Sequence, residues 1–290
     1  MTAVAGSPAP SRTAMSLGGR VGGMLLPAFT GLLLLFLFAP IGVMIAFSFN
    51  DPAGRQNITW QGFTFSNYFS LWSRPDITGP MITSLLVATV STVVATAFGT
   101  LIALALTRYE FRARWLVNLL IFIPMTAPEI ILGASLLTLW VSVGAERGFV
   151  TILVAHIMFN ISYVVVTVRA RLSGFNRSIE EAGMDLYADG RTTFWKVTFP
   201  IIFPGILAAA LLAFALSIDD YVITLFSAGH TLTFPLWVFG VSRLGIPPEV
   251  NVLGTLIFLV AFVFIGVQLW SQRRAGRSTE SAAPVTMVGR

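Results

Sequence analysis

Three carboxylates stand where so apolar a chain can least accommodate them: Glu129, beside Pro128, and the adjacent pair Asp219 and Asp220. Each lies in or at the edge of a long apolar run, where an ionisable group is costly enough to mark a ligand or ion path. No Lys or Arg falls inside any such run, so the chemistry on offer is an acidic passage suited to a cationic solute. Tyr221, Trp140 and Trp237 supply aromatic faces for cation–π contact. Each acid also has a structural alternative. Glu129 suits the cap of a helix broken by Pro124 and Pro128, and one of the two Asp residues suits backbone freed at a helix end. Neighbouring residues on a helix point about 100° apart, so both Asp side chains do not easily face one ligand. His156, alone in an apolar run, reads as a packed, hydrogen-bonded core residue rather than a proton relay.

Other chemistries are excluded by what the chain lacks. It has no Cys, and its two His residues, His156 and His230, are far apart, so neither a disulfide framework nor a thiolate or histidine metal site is expected. A phosphate-cradling loop needs Gly-x-x-x-x-Gly-Lys-Ser/Thr, but the only lysine, Lys196, follows Trp195. No Ser/His/Asp set or paired carboxylates sit in a soluble setting. The chain is therefore not an enzyme by itself and carries no cofactor of its own.

The elements that position these residues follow from composition. Of 290 residues, 56% are hydrophobic and only 11% charged, which is far below the roughly one quarter of a soluble domain. Six runs are long enough to span a bilayer: 25–47, 81–106, 116–143, 149–168, 206–226 and 252–270. The first is too long for a signal peptide and lacks a small-residue cleavage site. The pI near 10.2 does not indicate nucleic acid, because the basic residues lie at the ends of apolar runs. Fourteen of the eighteen Lys and Arg residues fall before the first run, after the last, or in the second and fourth connections. Positive loops stay in the cytoplasm, so both termini are expected there. The segments 1–20 and 271–290 read as disordered tails around a membrane domain at 21–270. The outer connection at 50–80, with Trp60, Phe63, Tyr68 and Trp72, reads as an interfacial segment. The proline-punctuated stretch 230–251 reads as a short re-entrant or interfacial helix.

The connection at 170–204 carries the most information. Ser178 and Glu181 have capping-box spacing, which starts a short helix near Ile179. Ile179, Ala182 and Leu186 then share one face, with Glu181 and Asp185 on another. Gly190 is expected to end that helix and Thr192 or Thr193 to open the next, with Pro200 and Pro204 marking the return to the bilayer. An amphipathic helix outside the membrane suits a groove in another protein.

Glu180-Glu181-Ala182-Gly183-Met184-Asp185-Leu186, followed by Phe194-Trp195-Lys196-Val197-Thr198-Phe199-Pro200 and Pro204-Gly205, resembles the EAA loop of type I ABC importer permeases. Pro128-Glu129-Ile130-Ile131-Leu132-Gly133, Ser217-Ile218-Asp219-Asp220-Tyr221-Val222, Phe234-Pro235-Leu236 and the stretch from Arg243 to Asn251 resemble the C-type permeases of spermidine/putrescine importers. The resemblance implies an all-α, six-helix permease of the bacterial inner membrane. It implies ATPase coupling through Glu180, Glu181, Ala182, Gly183, Met184, Asp185, Leu186 and Tyr187, and a substrate path near Glu129, Asp219, Asp220 and Tyr221. The implied partners are a second, homologous permease (a heterodimer), two ATPase subunits holding ATP and Mg, and a soluble or lipid-anchored binding protein. Polyamines are the implied solute; another amine-bearing solute (an opine, amino acid or aminophosphonate) and a stand-alone secondary transporter are the alternatives. Two positions depart from the pattern: Gly183 replaces an alanine, and Tyr187 replaces a glycine that permits the turn between the two short helices. The turn is accordingly expected at Gly190.

Overall fold

The computed structural model of the chain describes residues 17–54, 56–260, 262–263 and 266. Among them there is no strand, only one isolated antiparallel bridge between Asn50 and Phe63. Along the chain, α1 (Leu17–Ser48) is followed by the short α2 (Ser66–Ser70) and a 3-10 turn, Leu71–Ser73. Next come α3 (Pro75–Arg108), α4 (Arg114–Thr126), α5 (Glu129–Ser142) and α6 (Phe149–Ser173). The loop helices α7 (Ser178–Asp185) and α8 (Gly190–Thr193) lead through a π-helical turn, Phe194–Thr198, into α9 (Phe199–Ile218). The chain continues through α10 (Val222–Ser227), α11 (Phe234–Ser242) and α12 (Pro248–Val260).

The all-helical expectation holds, with the spans redrawn. Four stretches are long and apolar enough to cross a membrane: Leu25–Ser48, Pro75–Arg108, Phe149–Ser173 and Gly190–Ile218. The expected third span is not one helix, because α4 and α5 meet at 112° around Ala127 and Pro128. Pro128 has no amide hydrogen and biases the residue before it away from helix, so the ladder stops there. The second span starts at Pro75, six residues before the expected 81, since a proline in the first turn forfeits no helical bond. The expected fifth span, 206–226, ends early: α9 stops at Ile218 and the chain breaks before α10. At the expected sixth run, 252–270, the described helix is α12, Pro248–Val260, which is shorter than a span; most of the second half of that run lies outside the described residues, as do nearly all of both expected tails. The stretch 230–251 holds α11, whose nine residues are too few to span.

The described residues form two compact units, Phe69–Ile246 and the residues flanking it on both sides. In the first, α3, α6 and α9 make the core around Ala95, Ala103, Leu106, Val164, Val165, Val168, Ile202, Ala209 and Ala213. Lipid tails are as apolar as Leu, so helices in a bilayer gain from close packing rather than from escaping water. The buried face of α3 meets that need with small residues four apart, Ser91, Ala95, Gly99 and Ala103. A Cβ on Gly99 would lie 2.6 Å from Val164 Cγ1, so the two backbones approach as closely as a glycine allows. The α5 helix packs on α10 through Gly133, where a Cβ would meet the Phe226 ring.

In the flanking unit, three asparagines finish α1. The last carbonyls of a helix have no partner within it. Phe47 O accepts from Asn57 Nδ2 at 2.7 Å, and Ser48 O from Asn67 Nδ2 at 3.1 Å. Asn50 joins them by donating to Asn57 Oδ1 and by accepting from the Gln61 amide. Phe49, Phe63, Phe65 and Tyr68 stack beside this cluster, with ring centroids 5.1–5.4 Å apart. The expected interfacial loop is thus an ordered, aromatic-rich cap on α1. Its Trp60 sits edge-on to Phe47; Trp72, which belongs to the other unit, is exposed.

Candidate functional site

Two places combine charge with backbone irregularity: the break between α9 and α10, and the loop that holds α7 and α8.

At the break, the two adjacent Asp residues separate completely. Asp220 turns inward and caps α10, accepting from the Thr224 amide at 2.8 Å, the Thr224 hydroxyl at 2.8 Å and the Ile223 amide at 3.4 Å. The same carboxylate lies 3.2 Å from His156 Nε2, with both side chains almost fully buried. His156 also bonds Thr224 Oγ1 through Nε2 at 2.9 Å and Ser217 Oγ through Nδ1 at 2.6 Å. Ser217 in turn reaches Ser91 at 3.1 Å. One polar network therefore joins α3, α6, α9 and α10. A buried polar group without a partner costs about 1–3 kcal/mol, and these groups satisfy one another. His156 is the packed, hydrogen-bonded residue expected of it.

Asp219 has the opposite surroundings. It is exposed, and among the described residues its side chain bonds to no other residue. Tyr221, half-buried, packs its ring 4.7 Å from that of Phe239, which also lies under the Arg243 guanidinium at 4.8 Å. Glu129 is exposed as the first residue of α5, with Pro128 before it and no side-chain capping bond. Its carboxylate sits at the positive end of the α5 helix dipole. No hydrogen bond or ion pair joins Glu129 to either Asp among the described residues. Two of the expected aromatic side chains are already engaged: Trp140 packs on the cluster around Leu136 and Phe159 and donates its Nε1–H to Ser227 Oγ at 3.2 Å, and Trp237 is buried against Phe234.

The loop contains a residue whose role the sequence pattern does not reveal. Glu180 is buried, at 8% exposure, and its carboxylate accepts from Arg108 at the end of α3 and from Thr198 in the π-helical turn. Glu181, next to it, is exposed, as are Ile179, Ala182, Met184 and Leu186. The apolar face of α7 is thus turned away from its own chain, while Glu180 and Gly183 face inward. Gly183 does not need to be glycine: an added Cβ would make ordinary contact, 3.6 Å from Val197 and 3.8 Å from Thr193.

Three expectations for this loop are corrected. The capping box does not form; instead Asn176 Oδ1 accepts from the Ser178 amide at 3.0 Å. The turn has not moved to Gly190. It lies at Tyr187, which has φ 62° and is fully exposed. The Tyr187 amide donates to Met184 O at 3.0 Å and the Ala188 amide to Gly183 O at 3.3 Å, which is the paired bonding of a Schellman motif with tyrosine at the left-handed position. Gly190 opens α8 rather than closing α7, behind Asp189 as the cap, so neither Thr192 nor Thr193 starts that helix. Asp189 Oδ1 accepts from the Thr192 amide at 3.0 Å, and hydrogen bonding from Thr192 holds this carboxyl below its ordinary range.

Residues 95–277 match the family described as binding-protein-dependent transport system inner membrane component. The chain is 34% identical over 239 residues to a spermidine/putrescine transport system permease protein, PotC, of Haemophilus influenzae, covering 82% of this chain and 92% of that protein. It is 36% identical over 246 residues to PotC of Escherichia coli K12, covering 84% and 92%. It is 37% identical over 243 residues to the putrescine transport system permease protein PotI of the same strain, covering 81% and 85%. Among solved structures, a bacterial ABC transporter involved in import of the acidic polysaccharide alginate aligns with TM-score 0.60 at 19% identity, over 92% of this chain and 99% of that one. The methionine ABC transporter MetNI, in an inward-facing form, aligns with TM-score 0.52 at 16% identity, over 73% and 97%. At these identities the structural likeness is one of fold.

The different surroundings of the two Asp residues predict different variants. Asp220→Ala removes the cap of α10 and orphans buried donors, and should destabilise the protein by about 2–4 kcal/mol. Asp219→Asn should stay within about 0.5 kcal/mol of the parent. Thermal unfolding of both variants in detergent measures the difference, and equal losses would contradict the assignment of the buried and exposed carboxylates.

Proposed function

The chain belongs to the family of inner-membrane components of binding-protein-dependent transport systems, and from that membership we propose that it is the permease through which an ATP-driven importer moves polyamines. The relatives at 34–37% identity are named for spermidine and putrescine, which supports the solute class. The single observation that carries the coupling role is the geometry of α7: its apolar face is presented outward while Glu180 anchors it from behind.

A second, homologous permease, two ATPase subunits that bind ATP and Mg, and a solute-binding protein complete the assembly. The ATPase receives α7 in a cleft, where Ala182, Met184, Leu186 and Tyr187 offer an apolar surface and Glu181 and Asp185 offer charge. When ATP draws the ATPase subunits together, α7 moves with them. Glu180 passes that displacement to the end of α3 through Arg108, and through Thr198 to the turn that becomes α9. Tilting α3 and α9 alternates the side on which the passage is open. A cationic solute meets Asp219, the acid left unengaged at the break, with Tyr221 beside it and Glu129 as a second acid at the start of α5. Asp220 shapes this path by holding the break rigid and is not itself a ligand. The secondary-transporter alternative loses its best proton carriers, since Asp220 and His156 are consumed in a structural network.

Two outcomes follow for the assembled complex in proteoliposomes. Ala182→Arg places a large cation on an exposed face, so folding is retained while ATP-driven uptake falls to background and solute capture by the binding protein is unchanged; full uptake by this variant would refute the coupling role of α7. Against a panel of amines, putrescine or spermidine should stimulate ATP hydrolysis, and Asp219→Asn should lose most of that stimulation. Stimulation by an unrelated solute alone would keep the permease and reject the polyamine.

A further inference from the structure

We propose that the groove between α4 and the ends of α3 and α6 is a binding site for the phosphate headgroup of an anionic glycerophospholipid. The groove encloses a cavity of about 570 Å³. Arg114, at the start of α4, and Arg169, near the end of α6, line it together, and Arg169 Nη1 donates to Asn118 Oδ1 at 2.7 Å. Both arginines are half-buried, and among the described residues neither has a carboxylate within ion-pair distance. Arg108, the residue after the lining Thr107, shows the contrast, since it is neutralised by Glu180. Two half-buried guanidinium groups lining one groove without a counter-ion lack a partner charge and have lost part of their hydration. A phosphodiester repairs both deficits, because it brings negative charge and acceptor oxygens matched to the guanidinium fork.

The remaining walls select a lipid over a free anion. Phe122, two turns after Arg114 on one face of α4, and Val166, one turn before Arg169 on α6, carry the lining away from the arginines as an apolar surface. The charged lining is therefore at one end and the oily lining at the other, the amphipathic order of a headgroup and its acyl chains. The groove lies at the same end of the helices as the coupling loop, because Arg108 closes α3 and bonds Glu180 of α7. Basic pockets between helices on the cytoplasmic side are a recognised means of holding anionic headgroups. The two cations also exclude the polyamine proposed for the passage. A lipid seated here would brace α4 against α3 and α6 beside the linkage that transmits motion from α7. This inference rests on reading that end of the helices as cytoplasmic.

The test uses the assembled complex, extracted in detergent and washed free of loosely held lipid, with phosphatidylglycerol retention counted by native mass spectrometry. The parent complex should retain the lipid. Arg114→Gln with Arg169→Gln should weaken retention about tenfold to thirtyfold, and Arg114→Lys with Arg169→Lys should restore only part of it, because lysine keeps the charge but lacks the guanidinium fork. Undiminished retention in the Gln variant overturns the proposal. So does displacement of the lipid by millimolar-range inorganic phosphate, which would mark a free-anion site. Cross-linking of Asn118→Cys to the partner permease overturns it as well, by showing that protein fills the groove. The chain has no cysteine, so a single Arg112→Cys labelled with an impermeant reagent reports the orientation separately. Retention is read without transport, so failure of the transport reading would leave a different signature.

Discussion

A break in a membrane helix must be satisfied from within the protein, because hydrocarbon offers its amides and carbonyls no hydrogen-bond partners. The break between α9 and α10 meets this constraint with one carboxylate. Asp220 takes the free amides of α10, and through His156 and Ser217 the same network reaches α6, α9 and Ser91 on α3. Four elements are fixed at one point, and the irregular backbone that exposes Asp219 is stable because its neighbour is fully engaged. One acid supports the break and the other remains unengaged.

The far end of α9 is held by a second charged linkage. Thr198, just before α9, and Arg108, the last residue of α3, converge on Glu180. The α3 and α9 helices are therefore joined at one end through Ser91 and Ser217 and at the other through Glu180, with a small-residue seam between α3 and α6 alongside. A frame tied at both ends moves as a body rather than shearing. That property suits the coupling proposed for α7, and under that proposal the buried Glu180 would have a mechanical role distinct from the exposed Glu181.

Much of this was legible in the residues. Hydropathy located four of the expected spans because a bilayer demands long apolar runs, and Pro124 and Pro128 marked the break in the third. The angle of that break was not legible, because it depends on how α5 packs against α10 at Gly133 and Phe226. Adjacent like residues were the main obstacle. Nothing in Asp219-Asp220 or Glu180-Glu181 says which member turns inward; the distinction arises from His156 and Arg108, which are 64 and 72 positions distant in the chain. Tyr187 misled for a different reason. A left-handed residue is normally signalled by glycine, so the pattern pointed to Gly190, yet the Schellman bonds form around a tyrosine whose ring is free in solvent. An unfavourable φ of this kind costs about 1–2 kcal/mol. The exposed ring, on the face proposed to meet the ATPase, is a reason for a tyrosine to be kept there.

The central claim is that this chain moves solute with energy delivered by a separate ATPase through α7. Its most direct test is uptake of labelled putrescine by proteoliposomes that contain the permease pair, the ATPase and the binding protein, with no ion gradient imposed. The account predicts uptake that requires ATP on the α7 side and persists when protonophore is added. Uptake that follows an imposed proton gradient and proceeds without ATP would contradict it.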